Sequence, residues 1–481
     1  MTTAQAQEGM NSAAGRWRIV VVLLTAIFMT LVAVSIINVV LPSIQVGLDA
    51  SSSDLQWVLT GYALTFGVVL VAAGRAGDIL GQRPLFIAGV ALFTLSSVAA
   101  GLAPDPLSLN VARIVQGLGS GLLTPQVIGL IQQHFHGPER GRAYGALGAV
   151  IGVSVAIGPV LGGLIIELAG PGSGWRWTFL VNIPVGAVAI VLALLWIPRS
   201  TVRPRRRRTL LRDLDPVGAV LLGLAVLALL WPFVERSMGV AGWLLVPAGL
   251  GLLALWTRWE HRYRARGNEP MVDLSLFRIR SFSGGNIIAG LYFMGVTSVW
   301  VLVAMYMQNG LGRSALEAGL ISLPAAVISA VSSYLAGRWT TTRGRRILIA
   351  GMGSALLGLA LSIGVVQLHA AEVLSVWWLL VSLGFIGIAQ GMVLTPNQTL
   401  TLLEIPLRYS GSAGGILQTS QRIGTAMGLA IVTGIAFAVL ARSDWTTAFS
   451  LGFGATSVVV LLSLAVALVE LRGSSEARPR R

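Results

Sequence analysis

Long apolar runs, separated by short polar or arginine-bearing segments, recur along the whole chain. A transmembrane helix needs roughly 20 mostly apolar residues. Fourteen stretches meet that length: residues 18–41, 55–73, 84–103, 108–131, 142–166, 177–197, 216–234, 240–257, 282–308, 316–337, 347–368, 375–396, 411–440 and 447–470. The pattern predicts an all-α polytopic membrane protein. The first run reads as a true span. It is too long for a signal peptide, lacks a small-residue cleavage site and continues into Asn38-Val39-Val40-Leu41-Pro42.

The runs differ in character. Residues 216–234 contain no Ser, Thr, Asn, Gln or charge, and 240–257 are nearly as plain. Most other runs mix Gly, Ala, Ser, Thr, Asn and Gln, which belong at helix contacts and aqueous cavities. The two plain runs are therefore expected to be peripheral and lipid-facing, inserted between two sets of six. Those sets echo one another. Gly74-Arg75-Ala76-Gly77-Asp78-Ile79-Leu80-Gly81-Gln82-Arg83 matches Gly337-Arg338-Trp339-Thr340-Thr341-Thr342-Arg343-Gly344-Arg345-Arg346 at an offset of 263. Leu122-Leu123-Thr124-Pro125 matches Val393-Leu394-Thr395-Pro396 at an offset of 271. Two ordered matches predict two parallel six-helix bundles in a pseudo-twofold arrangement. The expected division is 1–198 for the first bundle, 199–280 for a basic loop, the inserted pair and its connector, and 281–481 for the second bundle with a short tail.

Composition narrows the function. Of 481 residues, 55% are hydrophobic and 11% charged, with a mean hydropathy of +0.79, against about 25% charged in soluble domains. Soluble, disordered and fibrous classes are excluded. Cysteine is absent and there are four histidines, His134, His136, His261 and His369, in no metal-binding spacing. No nucleophile–base pair, metal site or cofactor site can be assembled, so an enzyme is not expected. The net charge of +15 comes from 34 basic residues, all arginine. Nucleic-acid binding is the tempting inference, but positive charge in a membrane protein gathers in cytoplasmic loops. With both termini placed inside, 28 arginines fall in inside segments and four in outside loops, with Arg113 and Arg422 within spans. That bias predicts cytoplasmic termini. The run Arg205-Arg206-Arg207-Arg208 is read as a topology anchor, with anionic-lipid contact as the alternative.

Three motifs carry candidate chemistry. In 74–86, glycines permit a tight turn close to a neighbouring helix, and Asp78 can accept from helix N-terminal amides or pair with arginine. Arg113-Ile114-Val115-Gln116-Gly117-Leu118-Gly119 places an arginine inside a span, a costly feature and a functional one by default. Its charge can lower a nearby carboxylate's pKa and govern proton release; bonding backbone carbonyls is the structural alternative. Gly145, Ser154, Gly158, Pro159, Gly162 and Gly163 share one run, where small residues permit close helix packing and proline adds a bend.

These motifs resemble those of the major facilitator superfamily. Residues 74–86 resemble its loop between helices 2 and 3, with Gly74, Asp78, Gly81 and Arg83 matching and Ala76 and Ile79 departing. The resemblance implies a conformational lock that holds the outward-open state. Arg113, Gln116 and Gly117 resemble the helix 4 motif, which with Asp78 implies proton coupling. The glycine-rich run resembles the antiporter signature, with Ser154 where glycine is usual, and implies export. Ser35-Ile36-Ile37-Asn38-Val39-Val40-Leu41-Pro42 and Trp175-Arg176-Trp177-Thr178-Phe179-Leu180-Val181-Asn182-Ile183-Pro184 resemble the fourteen-helix drug:proton antiporter branch. That branch implies a multidrug efflux transporter of the cell membrane, working by alternating access as a monomer, with small amphipathic substrates and protons as partners.

Ala33 occupies the branch's usual aspartate position, and no acidic residue lies near a span centre. An unpaired cation in the cavity would be costly, so the expected substrates are neutral, monocationic or zwitterionic amphiphiles. A proton carrier must then be a rim carboxylate such as Asp54, Glu167 or Glu317, or a unit of Asp78 and Arg113, or transport is uncoupled. Candidate substrate-lining residues are Asn38, Tyr62, Gln126, Tyr292, Asn397, Gln398, Gln418, Gln421 and Arg422. Each fits either a cavity wall or an interhelical hydrogen bond. A lipid or amphiphile flippase of the same fold is the alternative function.

Overall fold

The computed structural model describes residues 13–170, 172–199, 212–234 and 239–476. Arg205 to Arg208, Arg236 and the arginines of the last five positions lie outside the described residues, and of Asn38 only the backbone is described. Among the described residues there are helices and no strand. We name the longer helices in chain order: α1 (Ala13–Leu48), α2 (Ser52–Leu80), α3 (Gln82–Gly101), α4 (Pro106–His134), α5 (Gly137–Ala169), α6 (Gly174–Leu180), α7 (Asn182–Trp196), α8 (Pro216–Val234), α9 (Leu245–Ala265), α10 (Arg280–Met305), α11 (Leu323–Arg343), α12 (Arg345–Ala370), α13 (Leu379–Thr401), α14 (Ser410–Leu440) and α15 (Trp445–Glu476).

Local signals set many of these boundaries. Ser51 and Asp54 form a capping box that opens α2, and Asp105, Pro106 and Ser108 do the same for α4. Gly81, with φ 95°, separates α2 from α3; Gly344, with φ 50°, separates α11 from α12 at the position 263 residues later. Both need the left-handed backbone that glycine tolerates.

Thirteen helices among the described residues are long and apolar enough to cross a membrane. The expected span at 240–257 is not one of them. Its helix, α9, starts later and runs on through Arg258, Arg262 and Arg264, which lowers its mean apolarity. The α8–α9 pair exposes apolar side chains: Val220 is 61% and Leu250 56% exposed. The inner side of α8 packs on α2, where Gly67 faces Leu230, Gly223 faces Val68, and the Trp57 and Trp231 rings meet edge-on at 5.7 Å.

The described chain forms two compact units. One comprises the described residues within 13–136, 157–274 and 406–419; the other comprises those within 137–156, 275–405 and 420–476. Two long helices, α5 and α14, each contribute one end to each unit, so these units are not contiguous in sequence as the expected halves are. The first unit buries Ile37, Val58, Ala100, Leu109, Trp175 and Phe179 in one cluster. The core of the second centres on Tyr292, Val299, Tyr306, Phe449 and Phe453, with the last two rings stacked at 4.0 Å.

Candidate functional site

The densest polar contact of the first unit joins the end of α2 to the start of α14. Asp78 lies in the last turn of α2 rather than in a loop. Its Oδ1 accepts from the Gly411 N–H at 2.7 Å, and its Oδ2 accepts from the Ser412 N–H at 2.8 Å and from the Ser412 hydroxyl. The first amides of a helix have no intrahelical partner and carry partial positive charge. Asp78 therefore acts as an N-cap supplied by another helix. Gln82 adds a second bond, its amide donating to the Ser410 hydroxyl at 3.0 Å. Glycine makes the approach possible: a β-carbon on Gly74 would lie 2.6 Å from the Gly411 carbonyl carbon, and one on Gly415 2.6 Å from the Leu70 oxygen. Gly81 supplies the turn that follows. Arg83 does not join this contact; it donates to the Leu194 carbonyl in the last turn of α7 at 2.8 Å.

The small residues of α5 serve two contacts. Gly145 and Gly152 let α5 approach α11 in the second unit, where a β-carbon on Gly145 would sit 3.2 Å from the Gly337 Cα. Gly158 and Gly162 pack on α1 in the first unit, against Ser35 and Ile36. Ser154 is fully buried and turns its hydroxyl back to the Val150 carbonyl at 2.6 Å, which satisfies the added oxygen within the helix. Pro159 lies inside α5. Gly163 faces open space, so close packing does not explain it.

Arg113 is 1% exposed in α4. Its Nε donates to the Val58 carbonyl at 2.9 Å and its Nη1 to the Gln116 Oε1 at 2.6 Å; Gln116 in turn donates to the Ser97 hydroxyl at 2.7 Å. The guanidinium lies over the Tyr62 ring at 4.4 Å, a cation–π contact that offsets part of its desolvation. Asp78 and Arg113 are not brought together. Arg113 bonds the first turns of α2 at Val58 and Asp78 ends that helix, so about 30 Å of helix separates them at 1.5 Å per residue. A direct Asp78–Arg113 titrating unit is therefore ruled out in this conformation. Two rim acids are engaged as helix caps: Asp54 with Ser51 at 3.0 Å and Glu317 with Ser314 at 2.9 Å.

The candidate lining residues divide. Tyr62 is buried and its hydroxyl meets Ser120 at 2.7 Å. Gln126 is fully buried against Gly77 and donates to the Ala73 carbonyl at 2.9 Å, which makes it an α2–α4 tie beside the Asp78 contact. Asn397 likewise ties α13 to α10 through the Gly285 carbonyl at 3.0 Å. Tyr292 and Gln398 are buried, with the Tyr292 hydroxyl and the Gln398 amide nitrogen lacking partners among the described residues. Both have unused hydrogen-bonding capacity, as does the Oε1 of Gln126. Gln418, Gln421 and Arg422 are half-buried along α14.

Acids in the connector around α8 and α9 were not singled out from sequence. Arg75, 3% exposed on α2, donates from Nε and Nη2 to the Asp213 carbonyl at 3.3 and 3.1 Å and pairs with Glu269 at 3.0 Å. Tyr409, just before α14, donates to Asp273 at 3.1 Å, and Asp273 pairs with Arg264 at 2.6 Å. The available signal was the set of acids Asp213, Asp215, Glu260, Glu269 and Asp273 inside an arginine-rich segment.

Comparison with known proteins agrees with this geometry. The sequence profile of the Major Facilitator Superfamily matches residues 23–429 and again 285–481. The chain is 33% identical over 433 residues to a probable actinorhodin transporter of Streptomyces coelicolor, covering 89% of this chain and 73% of that protein. It is 32% identical over 427 residues to the multidrug resistance protein Stp of Mycobacterium tuberculosis, covering 87% and 75%. The solved structure of the proton:xylose symporter XylE superposes with a TM-score of 0.64 at 17% identity, covering 94% of this chain and 95% of that one. The long apolar helices, the glycine-mediated contacts and these matches together make the chain an integral multi-pass membrane transporter, not an enzyme, and a member of the major facilitator superfamily.

Proposed function

We propose that this protein is a secondary active exporter of amphipathic or hydrophobic small molecules, working by alternating access with proton antiport. The observation that carries the reading is the Asp78 carboxylate capping the N-terminus of α14 from the end of α2. Such a cap can exist in only one of two packed states, so it biases a two-state equilibrium. The names of the relatives, which refer to antibiotic transport and multidrug resistance, support export of drug-like substrates. Coupling runs through Arg113, and Tyr292 and Gln398 bind substrate. The chain has fourteen spans, with α8 and the apolar stretch 240–257 inserted between two six-helix bundles divided at 1–198 and 281–481, and both termini are cytoplasmic. It acts as a monomer.

The test is uptake into everted vesicles of a chemically varied panel, with and without a pH gradient. Accumulation driven by the gradient, and proton release from detergent-solubilised protein on substrate binding that Arg113→Ala abolishes, is the expected result. One observation favours a second reading. Within the described spans the acidic residues sit at helix ends, so no mid-span carboxylate supplies an obvious proton carrier. Downhill movement that ignores the pH gradient would make the protein a lipid or amphiphile flippase instead. Orientation is checked separately. Single cysteines at Ser173 and Ser443 label from outside, and one at Ser200 does not.

A further inference from the structure

The connector that carries α8 and α9 does more than insert two helices. It reaches the lock at both of its sides. On the α2 side, Arg75 stands one turn before Asp78 and is held by the Asp213 carbonyl and the Glu269 carboxylate. On the α14 side, Tyr409 stands two residues before Gly411, whose amide Asp78 caps, and its hydroxyl is held by Asp273.

The clamping groups come from a framework that is itself well tied. Asp215 opens α8 as its N-cap, accepting from the Gly218 N–H at 3.0 Å and from the Trp259 indole at 3.0 and 3.1 Å. Glu260 on α9 accepts from the Met271 N–H at 3.0 Å, which fixes the segment leading to Asp273. The Tyr263 hydroxyl donates to the Arg212 carbonyl at 2.7 Å, and the Arg212 guanidinium donates to Asn268. The start of α8, the end of α9 and the connector after it are thus joined into one piece, and that piece holds a residue on each partner of the lock.

We propose that residues 212–234 and 239–273 form a clasp. Glu269 and the Asp213 carbonyl position Arg75, and Asp273 positions Tyr409, so the inserted helices hold the end of α2 against the N-terminus of α14. The clasp rests on the reading of the Asp78 contact as a two-state lock. Its members are positioning residues: none touches substrate, and each acts through Arg75 or Tyr409. The inserted pair is then a control element on the transport cycle. Opening the lock requires the two grips to separate, and the rate of opening depends on residues outside both six-helix sets.

The absence of cysteine provides the test. Ser410 is fully buried beside Gln82, so Ser410→Cys places a thiol that reacts with a soluble maleimide only when the lock opens. In that background Glu269→Gln should raise the labelling rate about threefold, since its carboxylate is 62% exposed and screened. Asp273→Asn should raise it about tenfold, because a buried charge-assisted pair is lost. Tyr409→Phe, which removes only the hydroxyl, should move labelling in the same direction, and the thermal midpoint should stay unchanged in it and in Glu269→Gln. A merely structural role would lower the midpoint without raising labelling. Unchanged labelling in these variants, with fast labelling in Asp78→Asn, overturns the clasp and leaves the lock standing. Unchanged labelling in Asp78→Asn as well overturns both.

Discussion

The two repeats solve the same packing problem with different chemistry. Near the end of α2, Gly74 meets the backbone of Gly411 and Ser412; near the end of α11, Gly337 meets the backbone of Gly141 and Gly145. Both contacts depend on a missing side chain, because helix backbones can approach this closely only over glycine. The first contact carries a carboxylate cap at the matched position. Asp78 caps α14, whereas the position 263 residues later is Thr341, which is exposed. Arg75 is buried under the connector, whereas Arg338 is exposed. The matched positions share the glycine and differ in the carboxylate and in the burial of the arginine. A purely apolar contact has a strength fixed by shape. A charged cap depends on desolvation, on its neighbours and on a grip from elsewhere, so it can be regulated.

The largest expected effect tests what the copies share. Gly74→Val and Gly337→Val should each reduce transport to background in protein that still inserts. The added β-carbons would lie 2.6 Å from the Gly411 carbonyl carbon and 2.8 Å from the Gly145 Cα. Transport retained in either variant would show that its close approach is not needed in the cycle.

The next effect tests what they do not share. Asp78→Asn loses charge-assisted bonds to two amides and a hydroxyl, each worth about 1.5–3 kcal/mol, and should lower transport about tenfold or more. Thr341→Ala should stay within about twofold, as for an exposed surface substitution. Equal effects at the two positions would erase the distinction drawn here.

Deleting α8 and α9 and rejoining the chain with a long linker is expected to have an intermediate effect. Substrate binding, measured by fluorescence or calorimetry, should persist. Cysteine labelling at position 410 should rise because Asp213, Glu269 and Asp273 lose the helices that hold them against Arg75 and Tyr409. Loss of binding from well-folded protein would place the inserted pair inside the translocation core.

The smallest effect concerns pH. Glu260 lies beyond the apolar stretch 240–257, where burial and the neighbouring Asp215 carboxylate push its carboxyl up to about 8. Asp213, Arg212 and Tyr263 are the other charged or titratable groups around this pair. Because the folded value lies above the ordinary 4.5, the associated stability is present in full below pH 4.5. It is lost progressively as pH rises towards 8 and is level above that. Glu260→Gln should flatten this slope and raise the thermal midpoint at pH 8 by a few degrees relative to the native chain. An unchanged slope would mean that Glu260 does not hold a proton.

Much of this was written along the chain. Apolar runs of about 20 residues specify helices because the bilayer leaves backbone groups no other partner. Gly81 and Gly344 mark the turns because few residues adopt positive φ. Asp78 and Arg113 were legible because a charge near or inside a span is too costly to keep without a role. What local pattern could not supply was partnership across distance. That Asp78 caps Gly411, 333 residues away, depends on where two helix ends meet. Gln126 and Asn397 fitted either a cavity wall or an interhelical bond, and packing turned their amides to the Ala73 and Gly285 carbonyls. The contacts on Arg75 and Tyr409 come from acids of the connector that no local pattern singles out. Periodicity and cost are properties of a segment and its solvent, so they can be read along the chain. A hydrogen bond between distant residues is a property of the packed backbone, so it exists only once the helices have met.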